Sequence, residues 1–207
     1  MKTNRWSYVL AMAVIVVTFV QLLLFLVSWL IVAASPEPTT RSLLSSEGFR
    51  WFFGAFVYNV TTPPLAWIIV SAMAYGAIRD SNIMKIWRKG RGEWTYRQTF
   101  AFRIVLVQLF VYLLFIALVA FIPHAPLLSA TGSLQHSSFL HSIIPVTAAA
   151  VAMAASTFGM LTATMRSIVD VVKSLVRGVE RAAIIIVLYI FATELFFSFA
   201  YVFRLDF

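Results

Sequence analysis

Cysteine is absent from the 207 residues, and with it go a disulfide framework, Cys-ligated zinc, iron-sulfur clusters and thiol nucleophiles. Acidic groups are scarce: eight against sixteen basic ones, a formal charge of +8, with only 12% of residues charged. There is no Gly-rich phosphate loop, no His-Glu pair at zinc spacing and no Ser set as in a nucleophile elbow. No catalytic constellation is therefore present, no cofactor or metal is implied, and an enzyme is not expected. What fills the chain instead is apolar, 61% hydrophobic and 15% aromatic, with a mean hydropathy of +0.91. A soluble chain of this length buries only about two-thirds of its surface, and it cannot hide several uncharged runs near the roughly 20 residues that cross a bilayer. Disorder and a water-soluble enzyme fold are both excluded. The composition predicts a single all-α polytopic membrane helix bundle over 1–207, with the lipid bilayer as its first partner.

Five spans are predicted, at about 8–34, 63–80, 102–122, 142–165 and 182–203. The second has a short uncharged core, so it either starts at Pro63 or Pro64, where a helix tolerates proline in its first turn, or works with the amphipathic stretch before it. Sorting Lys and Arg by loop places thirteen on one side, from Lys2 and Arg5 through the basic loop 79–103 to Arg166, Lys173, Arg177 and Arg181. Only Arg41, Arg50 and Arg204 fall on the other side. That bias predicts an N-terminus inside and a C-terminus outside. It accounts for the basic surplus without nucleic acid, although the loop also suits anionic lipid headgroups. A signal peptide would fit Lys2, Arg5 and the small residues Ala33 and Ala34, but the uncharged run 8–34 exceeds the 7 to 15 apolar residues of such a segment.

Between the spans, 43–58 reads as an interfacial amphipathic helix carrying Phe49, Phe52, Phe53 and Phe56, capped by Ser45 or Ser46. Asn59-Val60-Thr61-Thr62-Pro63-Pro64 then breaks the helix, and irregular backbone at membrane depth needs protein or a water-filled cavity around it. Asn59, Thr61 and Thr62 are accordingly candidate substrate or cation ligands, with a surface turn as the alternative. Glu194 is the one acid inside a span. It is either a proton carrier or cation ligand or a carboxylic acid hydrogen-bonded to a neighbouring helix. Gln21 and Gln108 read as packing hydrogen bonds. His124, His136 and His141 in the outer loop match no metal spacing. Pro145, Ala148, Ala152, Ala155 and Gly159 predict close helix packing in the fourth span. The segment 166–181 predicts an amphipathic cytoplasmic helix on the membrane surface or against other helices.

The run from Arg41 through Leu43-Leu44-Ser45-Ser46-Glu47-Gly48 to Trp51, followed by Asn59-Val60-Thr61-Thr62 and then Pro64-Leu65, resembles the stretch after the first helix of the aminobenzoyl-glutamate transporter (AbgT) family, which shows Leu-Leu-Ser-x-Glu-Gly, Asn-Phe and Pro-Leu-Gly. Two further stretches are similar to that family, Phe102 to Pro123 and Ile144-Pro145 through Phe158-Gly159 to Met165-Arg166. The resemblance implies a multi-pass protein of a bacterial inner membrane, related to transporters of aminobenzoyl-glutamate or similar small carboxylates. The departures matter equally. The family's first re-entrant hairpin belongs between Trp87 and Tyr96, where a short basic connector stands, and its second is expected after Phe207. Its Gln-Phe and Asn-x-Ser-Asn positions are Glu194-Leu195 and Ala200, Tyr201, Val202, Phe203 here. These departures favour a non-transporting scaffold that forms a homodimer or docks on another membrane protein. The alternative is a minimal cation-coupled transporter or antimetabolite exporter of a small carboxylate.

Overall fold

The computed structural model describes residues 5–35, 39–88, 91–121 and 138–205. Among them the chain is helical throughout: α1 (Arg5–Ala34), α2 (Ser46–Val60), α3 (Pro63–Asp80), α4 (Ile83–Arg88), α5 (Tyr96–Phe121), α6 (Ser138–Leu161) and α7 (Ile168–Phe203), with one 3-10 turn at Arg91–Glu93. Four helices, α1, α5, α6 and α7, are each long and apolar enough to cross a membrane, and α2 with α3 qualifies as a fifth, broken span. The fold is a polytopic membrane helix bundle.

Local chemistry sets the helix ends. Ser45 caps α2, its hydroxyl accepting from the Gly48 amide at 3.0 Å, so the helix begins at Ser46 and not at 43. Pro63 opens α3, where its missing N–H is no loss. Gln98 reaches back to cap the helix start, its side-chain oxygen accepting from the Thr95 amide at 3.0 Å, one half of a capping box. This starts α5 at Tyr96, six residues ahead of the expected span and with Arg97 and Arg103 inside the helix. At the other end of the hairpin, α6 stops at Leu161 instead of continuing to 165, because Ala163 turns into the left-handed region with φ 57°. Met165 then returns its amide to the Gly159 carbonyl at 3.0 Å. Pro145 lies inside α6, which continues through it as helix. The amphipathic segment and the last span are one 36-residue helix, α7. Ser167 and Asp170 cap it reciprocally: the Asp170 carboxylate accepts from the Arg166 and Ser167 amides at 3.0 and 3.1 Å.

The chain packs as two compact units where one domain was expected, Met1–Leu65 with Ala183–Phe207, and Ala66–Ala182. In the first, residues 21, 24, 25 and 28 of α1 form a stripe at helical spacing. They meet Ser198, Tyr201 and Val202 of α7: Gln21 donates to Ser198 at 2.9 Å, and Leu24 and Phe25 pack on the core of Leu43, Tyr201 and Val202. The segment between α1 and α2 is laced down by its backbone. The Arg41 amide donates to the Val202 carbonyl at 2.9 Å and the Leu43 amide to the Ser28 hydroxyl at 3.1 Å. In the second unit, Ala101 and Val105 of α5 pack on Ala154 and Phe158 of α6, with Ile83, Ile86 and Phe102 closing the cluster.

Candidate functional site

Asn59 ends the buried stripe of α2, and its side-chain amide donates to Glu194 at 3.3 Å, joining residues 135 positions apart. Both are buried, Asn59 3% and Glu194 5% exposed. The second carboxyl oxygen of Glu194 has no hydrogen-bond partner among the described residues. A carboxyl group with one neutral donor and an open oxygen is an expensive arrangement in an apolar setting, and it leaves room for a proton or a cation.

Beside this pair lies a cavity of about 330 Å³ whose wall includes Arg41, Trp51, Tyr58, Asn59, Tyr201 and Arg204. Trp51 and Tyr201 stack with ring centroids 4.3 Å apart and planes 17° from parallel. The Arg41 guanidinium sits 5.3 Å over the Tyr201 ring, within cation–π range. Arg204 reaches the wall through the way α7 ends. Its φ of 53° is left-handed, and the Leu205 amide returns to the Ala200 carbonyl at 3.0 Å while the Arg204 amide returns to Tyr201. That is a Schellman stop with arginine where glycine is usual, a conformation that costs an L-residue about 1 kcal/mol or more.

The structure thus brings Asn59 and Glu194 together and separates the two threonines from them. Thr61 is exposed and folds back on the Val57 carbonyl at 2.8 Å, closing α2. Thr62 shares a short hydroxyl–hydroxyl contact with Tyr189. Tyr189 was not singled out from sequence, since an aromatic inside an apolar span carries no polar signal. Arg41 reads there as an outer-loop charge and, with Trp51, as an end of the AbgT-like run, and Tyr201 only as a departure from that family's pattern.

In the second unit, Ala155 is buried, Ala148 and Ala152 are half-buried, and Gly159 packs on the Met165 side chain of its own terminal turn. Pro145 is half-buried within α6. His124 and His136, and the side chain of His141, lie outside the described residues, and no acidic or histidine cluster able to hold a metal occurs among the described ones.

No family model and no curated protein matches the chain. Among solved structures it is similar to the YdaH transporter of Alcanivorax borkumensis, whose crystal structure is said to reveal an unusual topology. The match has a TM-score of 0.72 at 13% identity and covers 91% of this chain and 70% of that one. At that identity the likeness establishes the fold alone, a multi-pass helix bundle like that of the YdaH chain.

Proposed function

We infer that this chain binds a small carboxylate in the cavity between Arg41, α2 and the end of α7 and couples its movement to a proton or cation at Glu194. The cavity wall carries this reading. Arg41 and Arg204 are two of the three basic residues that the charge bias assigns to the outer side of a bacterial inner membrane. A guanidinium matches a carboxylate with paired donors, and the stacked Trp51–Tyr201 face suits an aromatic ring such as a benzoyl group. The AbgT resemblance implies the same class of ligand, and the fold shared with the YdaH transporter is compatible with moving one. Glu194, buried with one open oxygen next to the cavity residue Asn59, supplies a group whose charge can change inside a span.

One observation favours a second reading, a scaffold that dimerises or docks on another membrane protein. Where the AbgT resemblance places the first ligand-holding hairpin, this chain has only the end of α4 and the turn Arg91–Glu93, so a mobile gate is missing from that position.

Uptake of labelled aminobenzoyl-glutamate into proteoliposomes under proton and sodium gradients, alongside equilibrium binding, separates the two. We expect saturable binding that weakens about tenfold or more in Arg41→Gln, the loss of one charge-assisted pair. Accumulation should be abolished in Glu194→Gln with binding retained. Binding without flux leaves the scaffold reading. No binding to folded protein removes the carboxylate reading altogether.

A further inference from the structure

The second unit carries a feature that carboxylate handling does not use. A polar cavity of about 490 Å³ is walled by Arg79, Lys85, Arg166 and Arg177 against only two acids, Asp80 and Asp170. Both acids are engaged. Asp80 pairs with Arg177 at 3.1 Å and Arg181 at 3.9 Å, and Asp170 accepts from the Arg166 and Ser167 amides just ahead of α7. Lys85 and Arg166 form no ion pair among the described residues and are exposed, so the cup presents unneutralised positive charge. The same turn serves a second, apolar groove of about 240 Å³, lined by Ile78, Ile83, Met84, Leu109 and Val151, with almost no polar surface. Neighbouring residues face each way: Ile78, Ile83 and Met84 toward the groove, Arg79, Asn82 and Lys85 toward the cup.

We propose that this paired cup and groove bind one anionic phospholipid, its phosphate headgroup against Lys85 and Arg166 and an acyl chain along Ile83, Met84 and Val151. Charge complementarity selects the headgroup, since basic pockets between spanning helices hold anionic lipids. The apolar groove distinguishes a lipid from a free phosphate ester, which would leave it empty.

Native mass spectrometry of the full chain from micelles tests this, with phosphatidylglycerol, phosphatidylcholine of the same chains, and glycerol phosphate as separate probes. We expect retained phosphatidylglycerol adducts. The double variant Lys85→Gln, Arg166→Gln should weaken them about thirtyfold, the effect of two cations at a lipid headgroup. Val151→Phe, at a partly exposed groove position, should weaken them without removing selectivity over phosphatidylcholine. Equal retention of the two lipids by the intact protein overturns the proposal. So does competition by glycerol phosphate at matching affinity with no effect of Val151→Phe, which would make the cup a free-phosphate site. Elution as a single species and unchanged helical circular dichroism confirm that each variant is folded.

Discussion

Gly76 and Gly178 mark the closest approach of α3 and α7 within the second unit. A Cβ on Gly178 would overlap the Ala72 carbonyl, and one on Gly76 would overlap the Ser174 carbonyl and the Gly178 backbone. Backbone cannot rotate away, so the cost of a methyl group falls on the helix crossing itself. Gly159 offers the control, because a Cβ there meets only the flexible Met165 side chain. We expect Gly178→Ala to destabilise the protein by about 2–3 kcal/mol, the upper part of the range for overpacking. Gly159→Ala should stay within about 1 kcal/mol, since methionine repacks readily. Thermal unfolding of both variants in one micelle type measures the difference, and equal shifts would mean that the crossing relaxes. Sequence pointed to Gly159 because it follows a run of alanines; Gly76, among Ser71, Ala72, Ala74 and Ala77, offered the same signal and was passed over, whereas Gly178 stands among Arg177, Glu180 and Arg181 and offered none. Glu194 and Asn59 were each legible as polar residues out of place in apolar surroundings. Their pairing was not, since nothing local records a contact across 135 positions.

At the scale of elements, the segment before α2 shows how a motif of sequence becomes a fastening. Leu43 and Ser28 are completely buried. The Ser28 hydroxyl donates to the Phe25 carbonyl at 2.9 Å while accepting the Leu43 amide at 3.1 Å. Gly48 leaves no room for a side chain against Ser42 and Leu43. The Leu-Leu-Ser-x-Glu-Gly run thus does structural work: it buries one leucine, caps a helix with Ser45 and holds Arg41 at the cavity wall. Ser28→Ala removes the acceptor without changing the packing much, leaving the buried Leu43 amide unpaired at a cost of about 1–3 kcal/mol. Faster amide exchange confined to the 39–48 segment is the expected signature, and unchanged exchange there would mean that the bond holds little. Helix ends were legible only where capping chemistry was read. The Thr95–Gln98 pair was available in sequence, but the apolar run that located the span left out Arg97 and so placed the start too late. The stop of α6 was not available, because 162–165 contains neither glycine nor proline and the turn is held by Thr164 and Met165 bonding back to Gly159.

At the scale of the whole molecule, the question that decides between transport and scaffolding is orientation. Thirteen basic residues against three predict one insertion mode for every copy. Two copies in a homodimer would then face the same way, whereas inverted repeats that alternate access need opposite orientations. In a parallel pair alternation cannot come from one copy inverting against the other, so the carboxylate movement proposed above has to take place within each copy. The lack of cysteine makes this testable on a clean background, since a single introduced thiol is the only one present. Ser46→Cys lies at the start of α2, on the side that holds Arg41 and Arg50, and Glu93→Cys lies in the basic connector; both positions are exposed. In intact cells a membrane-impermeant maleimide should label Ser46→Cys and leave Glu93→Cys untouched until the membrane is permeabilised. Partial labelling of both would indicate dual insertion, and an antiparallel homodimer would then satisfy the symmetry of an alternating carrier. Labelling of Ser46→Cys alone would remove that route and leave carboxylate movement to a cavity and a Glu194 acting within each copy.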